Sequence, residues 1–387
     1  MFNLLSKLPR LLNLLIDLYR RDLLIWTEPN KAKIAVVDAT CLQYLVPLFD
    51  GESFEIIYTR GEKLYLTPTI IWRTINNYVR ITASLSSSYV LAVLETIRPV
   101  LVVTWIDNSP IFHNASRLYK HARFIAIQNA SRYLLYRNPG GNQPIYLTEF
   151  ACFGKNEVEM YTRYGAHVEQ FYPIGSLTDS YYRDYRKTLS TQTSTRPYDL
   201  CLVSQIDPMQ IHEFPELEFS YSVLAKHLVL FCEKNKKTLC VAIRYDPTTD
   251  PSDFEAEVGW YRRHTGNSAD IIPNNRKAFT TYQLIDSSSV SLALCSTTLV
   301  EGLGRGNRCL YCNFSAHDCY DFFVEGLWFL KDPRYEVFEE RLLELLTMTD
   351  QQFADVFAPV SKYLMNYEEN MPTHVFLKNL VTEALNK

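Results

Sequence analysis

The residues with the clearest capacity for chemistry form a hydroxyl cluster and a carboxylate that follow an apolar segment late in the chain. They are Ser296, Thr297, Thr298 and Glu301. The pattern predicts a strand that ends before them and a helix that begins near Thr298. Hydroxyl and backbone N–H groups at a helix N-terminus suit a phosphate, because the helix dipole favours negative charge there. Glu301 would face the same side and accept hydrogen bonds from ribose hydroxyls; a capping box that needs no ligand is the alternative.

Two more polar sites follow apolar runs in the same half of the chain. Arg244 follows Leu239–Ile243 and could neutralise a diphosphate or a sugar carboxylate, although a solvated surface arginine fits the pattern equally well. Ser204 and Gln205 follow Leu200–Val203. Both runs predict buried parallel strands, and open α/β sheets bind ligands at the carboxyl ends of such strands. We therefore expect these three residues to share a ligand site with the hydroxyl cluster.

The first half of the chain shows the same arrangement. The runs Val100–Trp105 and Phe124–Ile127 predict neighbouring strands, joined by a helix with a basic end. Polar residues follow each run, namely Asp107 and Asn108 after the first and Gln128, Asn129 and Arg132 after the second. Because these residues would lie at the carboxyl edge of a sheet, we expect them to bind polar groups of a substrate.

Carboxylates in the first half of the chain are the candidates for acid–base catalysis. Glu62 closes the tripeptide Arg60-Gly61-Glu62, in which Gly61 permits an unusual backbone and lets both charged side chains project from a tight turn. Asp107 or Glu62 could act as general base for a hydroxyl nucleophile or stabilise an oxocarbenium-like centre. His113 is the reserve base. The alternatives are a surface Arg–Glu pair and a structural histidine.

One cysteine pattern approaches the spacing of a zinc knuckle. It comprises Cys309, Cys312, His317 and Cys319. However, Cys309–Cys312 continues a strand pattern, whereas zinc-ligand pairs normally lie on a turn. The chain contains neither an Asp-x-Asp sequence nor a P-loop pattern. We therefore expect no metal and no other cofactor.

These candidate residues are set in two regions of alternating strands and helices, which predict two doubly wound α/β domains. We assign residues 31–190 to the first domain and 197–335 to the second, with a Ser/Thr-rich linker at Leu189–Pro197 and helices over 336–387. This plan fits the GT-B architecture, in which two Rossmann-like domains face a cleft and C-terminal helices cross back. A periplasmic-type binding protein or a nucleotide-sugar epimerase would show the same alternation.

Residues 1–30 form a separate N-terminal unit. Within residues 2–25, apolar side chains recur at helical spacing and basic side chains occupy the other face. Such a helix can lie in a membrane interface, or it can pack within the protein or join a homo-oligomer. The net charge of −4 argues against a nucleic-acid partner. The nine cysteines are an odd number, which favours reduced thiols in the cytoplasm.

Several short motifs resemble those of a bacterial family of surface-carbohydrate (O-antigen and capsule) biosynthesis glycosyltransferases. Thr104, Ile106, Asp107 and Asn108 match the family's T-x-I-D-N. Ile125, Ile127, Gln128, Asn129 and Arg132 match its I-x-I-Q-N-x-x-R. The resemblance includes the Arg60–Glu62 turn and covers the chain from about Lys33 to about Leu364. Ser296–Glu301 is similar to a nucleotide-binding turn of Kdo-type and sialic-acid-type capsule transferases.

The resemblance implies a metal-independent GT-B glycosyltransferase that builds a bacterial surface glycan from a nucleotide-sugar donor. The donor, with a CMP-activated ulosonic acid as the leading choice, would bind the second domain at Ser204, Gln205, Arg244, Ser296, Thr297, Thr298 and Glu301. The acceptor, lipid-linked or an oligosaccharide, would bind the first domain at Arg60, Asn108, Gln128, Asn129 and Arg132. The enzyme would then work at the inner face of the cytoplasmic membrane, in peripheral contact through residues 2–25. A GT-B epimerase and a non-catalytic glycan-binding scaffold remain the alternatives.

Overall fold

The computed structural model describes seven stretches of the chain, and they form two parallel α/β domains with C-terminal helices. The stretches are 16–17, 19–60, 62–81, 84–132, 145–189, 197–208 and 210–386. The predicted N-terminal helix over residues 2–25 and the predicted linker at Leu189–Pro197 lie largely outside them. At the end of that predicted helix, Leu24–Ile25 form a strand instead. Within the described residues, no helix is both long and apolar enough to cross a bilayer.

The N-terminal domain is built on a parallel sheet. Its strands in chain order are β1 (Leu24–Ile25), β2 (Ile34–Val37), β3 (Phe54–Ile57), β4 (Leu64–Tyr65), β5 (Leu101–Thr104), β6 (Arg123–Ile127), β7 (Tyr146–Cys152) and β8 (His167–Pro173). Six of them form one sheet in the order β3-β2-β5-β6-β7-β8, and β1 pairs with β4 apart from it. The chain reverses direction across the sheet between β2 and β5, which opens a crevice at their carboxyl ends.

The helices of this domain lie between its strands, and serine side chains cap three of them. They are α1 (Leu42–Leu45), α2 (Pro68–Ile81), α3 (Leu85–Ile97), α4 (Pro110–Leu118), α5 (Lys155–Arg163) and α6 (Leu177–Thr188). Ser84, Ser109 and Ser176 each accept a backbone N–H from the first turn of the helix that follows. Ser84 adopts an extended backbone and caps α3, so α2 and α3 are separate helices.

The C-terminal domain repeats this plan. Its strands are β9 (Tyr198–Val203), β10 (Leu239–Ala242), β11 (Asp270–Ile272), β12 (Ser288–Ala293), β13 (Cys309–Cys312) and β14 (Phe329–Leu330). They form one parallel sheet in the order β11-β10-β9-β12-β13-β14. Its helices are α7 (Pro215–Asn235), α8 (Pro251–Thr265), α9 (Thr280–Asp286) and α10 (Thr297–Gly304). The direction of winding changes between β9 and β12, so a second crevice lies in front of α10.

Three more helices complete the chain, and the last one returns to the first domain. They are α11 (Tyr335–Thr347), α12 (Asp350–Leu364) and α13 (Thr373–Leu385). Leu377, Leu380 and Val381 of α13 are buried in one apolar cluster with Leu45 and Phe49 of the N-terminal domain. The predicted GT-B architecture, with C-terminal helices crossing back, is confirmed.

Close backbone approaches fix the junction where the chain crosses between the domains. The Asn366 N–H donates to the Phe153 carbonyl at 2.8 Å, and a Cβ on Gly154 would lie 2.3 Å from the Tyr363 carbonyl oxygen. Gly175 has a φ of +83°, and a Cβ there would meet the Tyr367 ring at 2.5 Å. Glycine is required at both positions because any side chain would collide with the crossing segment.

The cysteine pattern with zinc-like spacing belongs to the second core. Cys309 and Cys312 are fully buried on β13, and burial raises the pKa of both thiols above their ordinary value. Across the part of the chain that the structure describes, no group of three or more His, Cys, Asp or Glu side chains is arranged to hold a metal ion. Cys309 and Cys312 therefore act as small apolar residues in the sheet.

Candidate functional site

A cleft between the domains, at the carboxyl edge of both sheets, contains a cavity of about 110 Å³. Tyr44 lines it from the N-terminal domain, and the C-terminal domain contributes Asn274, Arg276, Phe279, Thr281, Tyr282 and Thr298. This lining combines aromatic surfaces, hydroxyls, an amide and one guanidinium. Such a mixture suits a ligand that has both a flat ring and an anionic group.

The N-terminus of α10 forms one wall of this cleft. Ser296 is the N-cap residue with an extended backbone, and its side chain caps no N–H of the helix. The Thr297 hydroxyl accepts the Ser131 N–H of the other domain at 2.9 Å, whereas Thr298 lines the cavity. Because α10 begins at Thr297, Glu301 lies beyond the third helical residue and does not close a capping box.

Glu301 is buried beneath this helix terminus and bridges the two domains. Its carboxylate accepts hydrogen bonds from the Ser176 hydroxyl, at the start of α6, and from the Tyr282 hydroxyl at 2.6 Å. Burial, followed by the nearby charge of Asp179, raises the pKa of Glu301 to about 7. Both carboxylate oxygens of Glu301 thus accept hydrogen bonds from the protein. The predicted contact with ribose would require a ribose hydroxyl to replace the hydroxyl of Ser176 or of Tyr282.

A buried ionic cluster lies next to Glu301 and joins the same two domains. The Arg305 guanidinium forms ion pairs with Asp179 of α6 and, at 2.9 Å, with Asp286 of α9. It also stacks on the rings of Tyr182 and Tyr282 at 4.9 and 5.2 Å. A buried charge that lost one such partner would be strongly destabilising. This cluster therefore holds the domains in a defined relative position beside the cleft.

The predicted residues at the other strand ends of the C-terminal domain brace the loops around the cleft. The Ser204 hydroxyl donates to Glu257, whose carboxylate also accepts the backbone N–H groups of Arg244 and Tyr245. Gln205 exchanges two hydrogen bonds of 3.1 Å with the backbone of Cys295, in the loop before α10. These contacts shape the strand ends without occupying the cavity.

The Arg244 side chain itself is exposed and stacks on Tyr245 at 5.1 Å. It does not line the cavity. The guanidinium that does so belongs to Arg276, in a short turn before α9, where it lies 3.7 Å from Asp250 and remains about half exposed. An anionic ligand in the cleft would therefore meet Arg276 first.

Several predicted residues of the N-terminal domain meet in one polar cluster. Asp107 is fully buried and accepts hydrogen bonds from the Arg132 guanidinium, at 2.9 Å from Nε, and from the Tyr161 hydroxyl at 2.6 Å. The Asn129 side-chain oxygen accepts a further hydrogen bond from Arg132 at 2.6 Å. Nε2 of His113 lies 2.7 Å from the Asp107 carbonyl, and burial lowers the pKa of this imidazole.

This Asp107–Arg132 cluster reaches the other domain through the neighbouring residue. Ser131 precedes Arg132, and its N–H is the donor to Thr297 at the start of α10. Gln128 fixes the adjacent backbone, because its side-chain oxygen accepts the Phe153 N–H at 2.9 Å. Asn108 is exposed at the end of β5. The residues that follow β5 and β6 thus meet in one cluster beside the start of α10, and none of them lines the cavity.

The Arg60–Glu62 turn is organised by an aspartate that the sequence patterns did not single out. Asp38 follows β2 with a φ of 78°, a conformation that costs energy for a residue with a side chain. Arg60 pairs with its buried carboxylate at 2.7 Å. Burial acts to raise the pKa of Asp38, but the hydrogen bonds from Thr40 and Thr59 outweigh it and lower this pKa below its ordinary value. Glu62 accepts the Arg60 N–H at 3.1 Å; Gly61 lies outside the described residues.

An aromatic stack on the N-terminal side of the cleft was also not predicted as a site. The Tyr44 ring lies 5.7 Å from Trp105, 6.1 Å from Tyr181 and 6.5 Å from Phe279 of the opposite domain. Burial raises the pKa of Tyr44 to about 12, so the phenol is neutral at physiological pH. Trp105 directly follows β5, but Tyr44, Tyr181 and Phe279 follow no strand, so the strand-end pattern did not mark them.

Comparison with known proteins identifies the fold. The chain matches no protein-family model and none of the curated proteins compared. Among solved structures, a Listeria monocytogenes protein assigned as a UDP-N-acetylglucosamine 2-epimerase has a TM-score of 0.54 at 13% identity, over 92% of this chain and 96% of that one. Staphylococcus aureus MnaA with UDP has a TM-score of 0.54 at 11% identity, over 91% and 95%.

An archaeal structure extends this comparison. The UDP-GlcNAc 2-epimerase of Methanocaldococcus jannaschii, in complex with UDP-GlcNAc and UDP, has a TM-score of 0.51 at 11% identity, over 90% of this chain and 99% of that one. At such identities the likeness concerns the fold, and it extends over both domains. The class of structure is therefore a complete GT-B pair of domains, with the candidate site in the cleft between them.

Proposed function

We propose that the protein is a glycosyltransferase that uses a nucleotide-sugar donor. The observation that supports this most is the composition of the cleft, where Arg276, Thr298 and the N-terminus of α10 meet the aromatic rings of Tyr44 and Phe279. A nucleotide sugar has a flat base, a ribose and one or two phosphates, and these three parts match the rings, the hydroxyls, and the guanidinium and helix N-terminus of the cleft.

In this proposal the phosphate group of the donor, a single phosphate in a CMP-activated sugar, lies between Arg276 and the first turn of α10. During transfer an acceptor hydroxyl attacks the anomeric carbon, the bond from that carbon to the phosphate oxygen breaks, and negative charge develops on the departing nucleotide. Arg276 and the helix dipole would stabilise that charge. The ribose would compete for Glu301 with the hydroxyls of Ser176 and Tyr282, whose contacts prearrange the carboxylate.

The acceptor would approach the Asp107–Arg132 cluster and the Arg60–Glu62 turn. Asp107 can take the acceptor proton only after Arg132 releases one of its oxygens, because both oxygens carry hydrogen bonds in the structure. We infer that the acceptor is a lipid-linked or oligosaccharide glycan of a bacterial surface polymer, as the resemblance of the strand-end motifs implies. A CMP-activated ulosonic acid remains the leading donor.

A nucleotide-sugar epimerase is the second candidate. It is favoured by the three structures described above, because each is assigned as an epimerase or was solved with UDP. An epimerase would act on the nucleotide sugar alone and would need no acceptor.

Product analysis separates these functions. The intact protein is incubated with UDP-, CMP- and GDP-sugars, with and without oligosaccharide acceptors, and the reaction is followed by NMR. We expect release of the nucleotide and a new glycosidic linkage only when an acceptor is present. Conversion of the donor sugar without an acceptor would instead establish the epimerase. Binding of a glycan without any turnover of the donors would contradict both enzymatic functions and support a non-catalytic glycan-binding scaffold.

A further inference from the structure

Helix α2 carries an apolar face that points away from the protein. Its exposed side chains include Ile71, Trp72, Ile75 and Val79, which are 42%, 66%, 58% and 71% exposed. They recur at i, i+1, i+4 and i+8 and so form one stripe along the helix. At 14 residues, α2 is about 21 Å long, and the stripe runs along most of that length.

The inner face of the same helix is the more polar one. Its buried residues are Ile70, Thr74 and Asn77. The Thr74 hydroxyl donates to the Ile70 carbonyl at 2.7 Å, and the Asn77 side chain donates to Glu95 of α3 at 3.2 Å. The usual amphipathic arrangement, with apolar residues inward, is therefore inverted. Such an exposed apolar stripe on a folded domain indicates a surface that is covered by another molecule.

Charged and aromatic residues surround the stripe in the way that a lipid surface requires. Arg80 near its end and Lys63 before its start are exposed cations. Backbone pairing of β1 with β4 brings the segment after β1 beside the start of α2, where Trp26 is 61% exposed. Tryptophan, tyrosine and flanking cations are the residues that favour the interface of an anionic bilayer.

We propose that the exposed face of α2 docks this protein on an anionic lipid bilayer, with the helix lying parallel to the membrane surface. Burial of Trp72, Ile75 and Val79 in the acyl boundary would supply the apolar contribution, and Arg80 and Lys63 would meet the headgroups. A second copy of the chain suits the face less well. A symmetric contact would set the same cations against each other, and one helix stripe is far smaller than a standard protein interface. The inference does not depend on the proposed catalytic activity.

Vesicle cosedimentation tests this directly. The full-length protein is mixed with large unilamellar vesicles of phosphatidylcholine with phosphatidylglycerol, or of phosphatidylcholine alone, at low and at high salt. We expect binding to the anionic vesicles that weakens with salt, and a loss of at least tenfold in the partition coefficient for Ile75→Asp. Leu230→Asp, a matched change at a 46% exposed position on α7 of the other domain, should bind like the wild type.

Two outcomes would overturn the inference. One is Ile75→Asp binding anionic vesicles as well as the wild type does, since another part of the chain would then be the membrane contact. The other is a wild type that ignores vesicles and forms a dimer which Ile75→Asp dissociates, as measured by light scattering. Val79→Asp, at a 71% exposed position, provides a second variant, and circular dichroism verifies that each variant is folded.

Discussion

Replacement of Glu301 by glutamine should remove a defined pH dependence of stability. Burial raises the pKa of this carboxyl from 4.5 to about 7. A carboxyl with a higher pKa in the folded than in the unfolded state holds its proton more tightly when folded. Folded-state stability is therefore lost as the pH rises from about 4.5 towards 7, and it stays at the lower level above that.

The size of the effect follows from these two pKa values. Between pH 5 and pH 8 the carboxyl of Glu301 should reduce the free energy of unfolding by about 2–3 kcal/mol. Glutamine stays neutral over this range, so the free energy of unfolding of the variant lacks this decrease. The difference in unfolding free energy, Glu301→Gln minus wild type, should therefore increase by about 2–3 kcal/mol from pH 5 to pH 8.

Urea unfolding at both pH values, followed by tryptophan fluorescence, measures this difference. Glu157 is also buried with a pKa raised to about 7, but it is present in both proteins and its contribution cancels. Glu325→Gln, at an exposed position of the same domain, is the charge-matched control and should change little, within about 0.5 kcal/mol. A Glu301→Gln difference that is the same at pH 5 and pH 8 would refute the inference of a buried, strongly shifted carboxyl between the domains.

Two further predictions concern the Asp107–Arg132 cluster and the domain junction. Asp107→Asn should lower turnover at least about a hundredfold, because it removes the negative charge that could take the acceptor proton or hold Arg132 in place. Donor affinity measured by calorimetry should hardly change, and near wild-type turnover would show that Asp107 is structural. Gly304→Ala should destabilise the protein by about 1–3 kcal/mol, because its Cβ would lie 2.8 Å from Met365 Cβ. In the helical control Gly259→Ala, where the nearest atom is 3.7 Å away, stability should hold or improve, and thermal unfolding of both variants checks this.

Much of the fold was predictable because its central strands are short, buried and apolar. β6 and β13 agree to within one residue with the predicted Phe124–Ile127 and Cys309–Cys312. β11 and β14 were not predicted, because strands of three and two residues carry too little periodicity to separate from loops. Sequence periodicity also could not locate the start of α3, which the Ser84 hydroxyl caps.

The sequence predicted which polar residues follow the strands, but it did not predict which other residues they contact. Polar residues after β5 and β6 do meet in one cluster, because parallel strands end at one edge of a sheet. The partners of other candidate residues could not be predicted from the sequence. Glu301, for example, accepts a hydrogen bond from Ser176, which lies 125 residues away in the chain. Tyr44 and Arg276 escaped notice because they lie in a short helix and a short turn. Only tertiary packing brings these residues to the cavity.

The central claim, that the cleft binds a nucleotide, is tested most directly by titration calorimetry of the intact protein with UDP, CMP, CDP and GDP. We expect at least one of them to bind, and Arg276→Ala to weaken that binding at least about tenfold, which corresponds to about 1.4 kcal/mol. Arg262→Ala, on the exposed side of α8, should leave the affinity unchanged. Failure of all four nucleotides to bind, or equal affinity of the Arg276→Ala variant and the wild type, would contradict the assignment of this cleft.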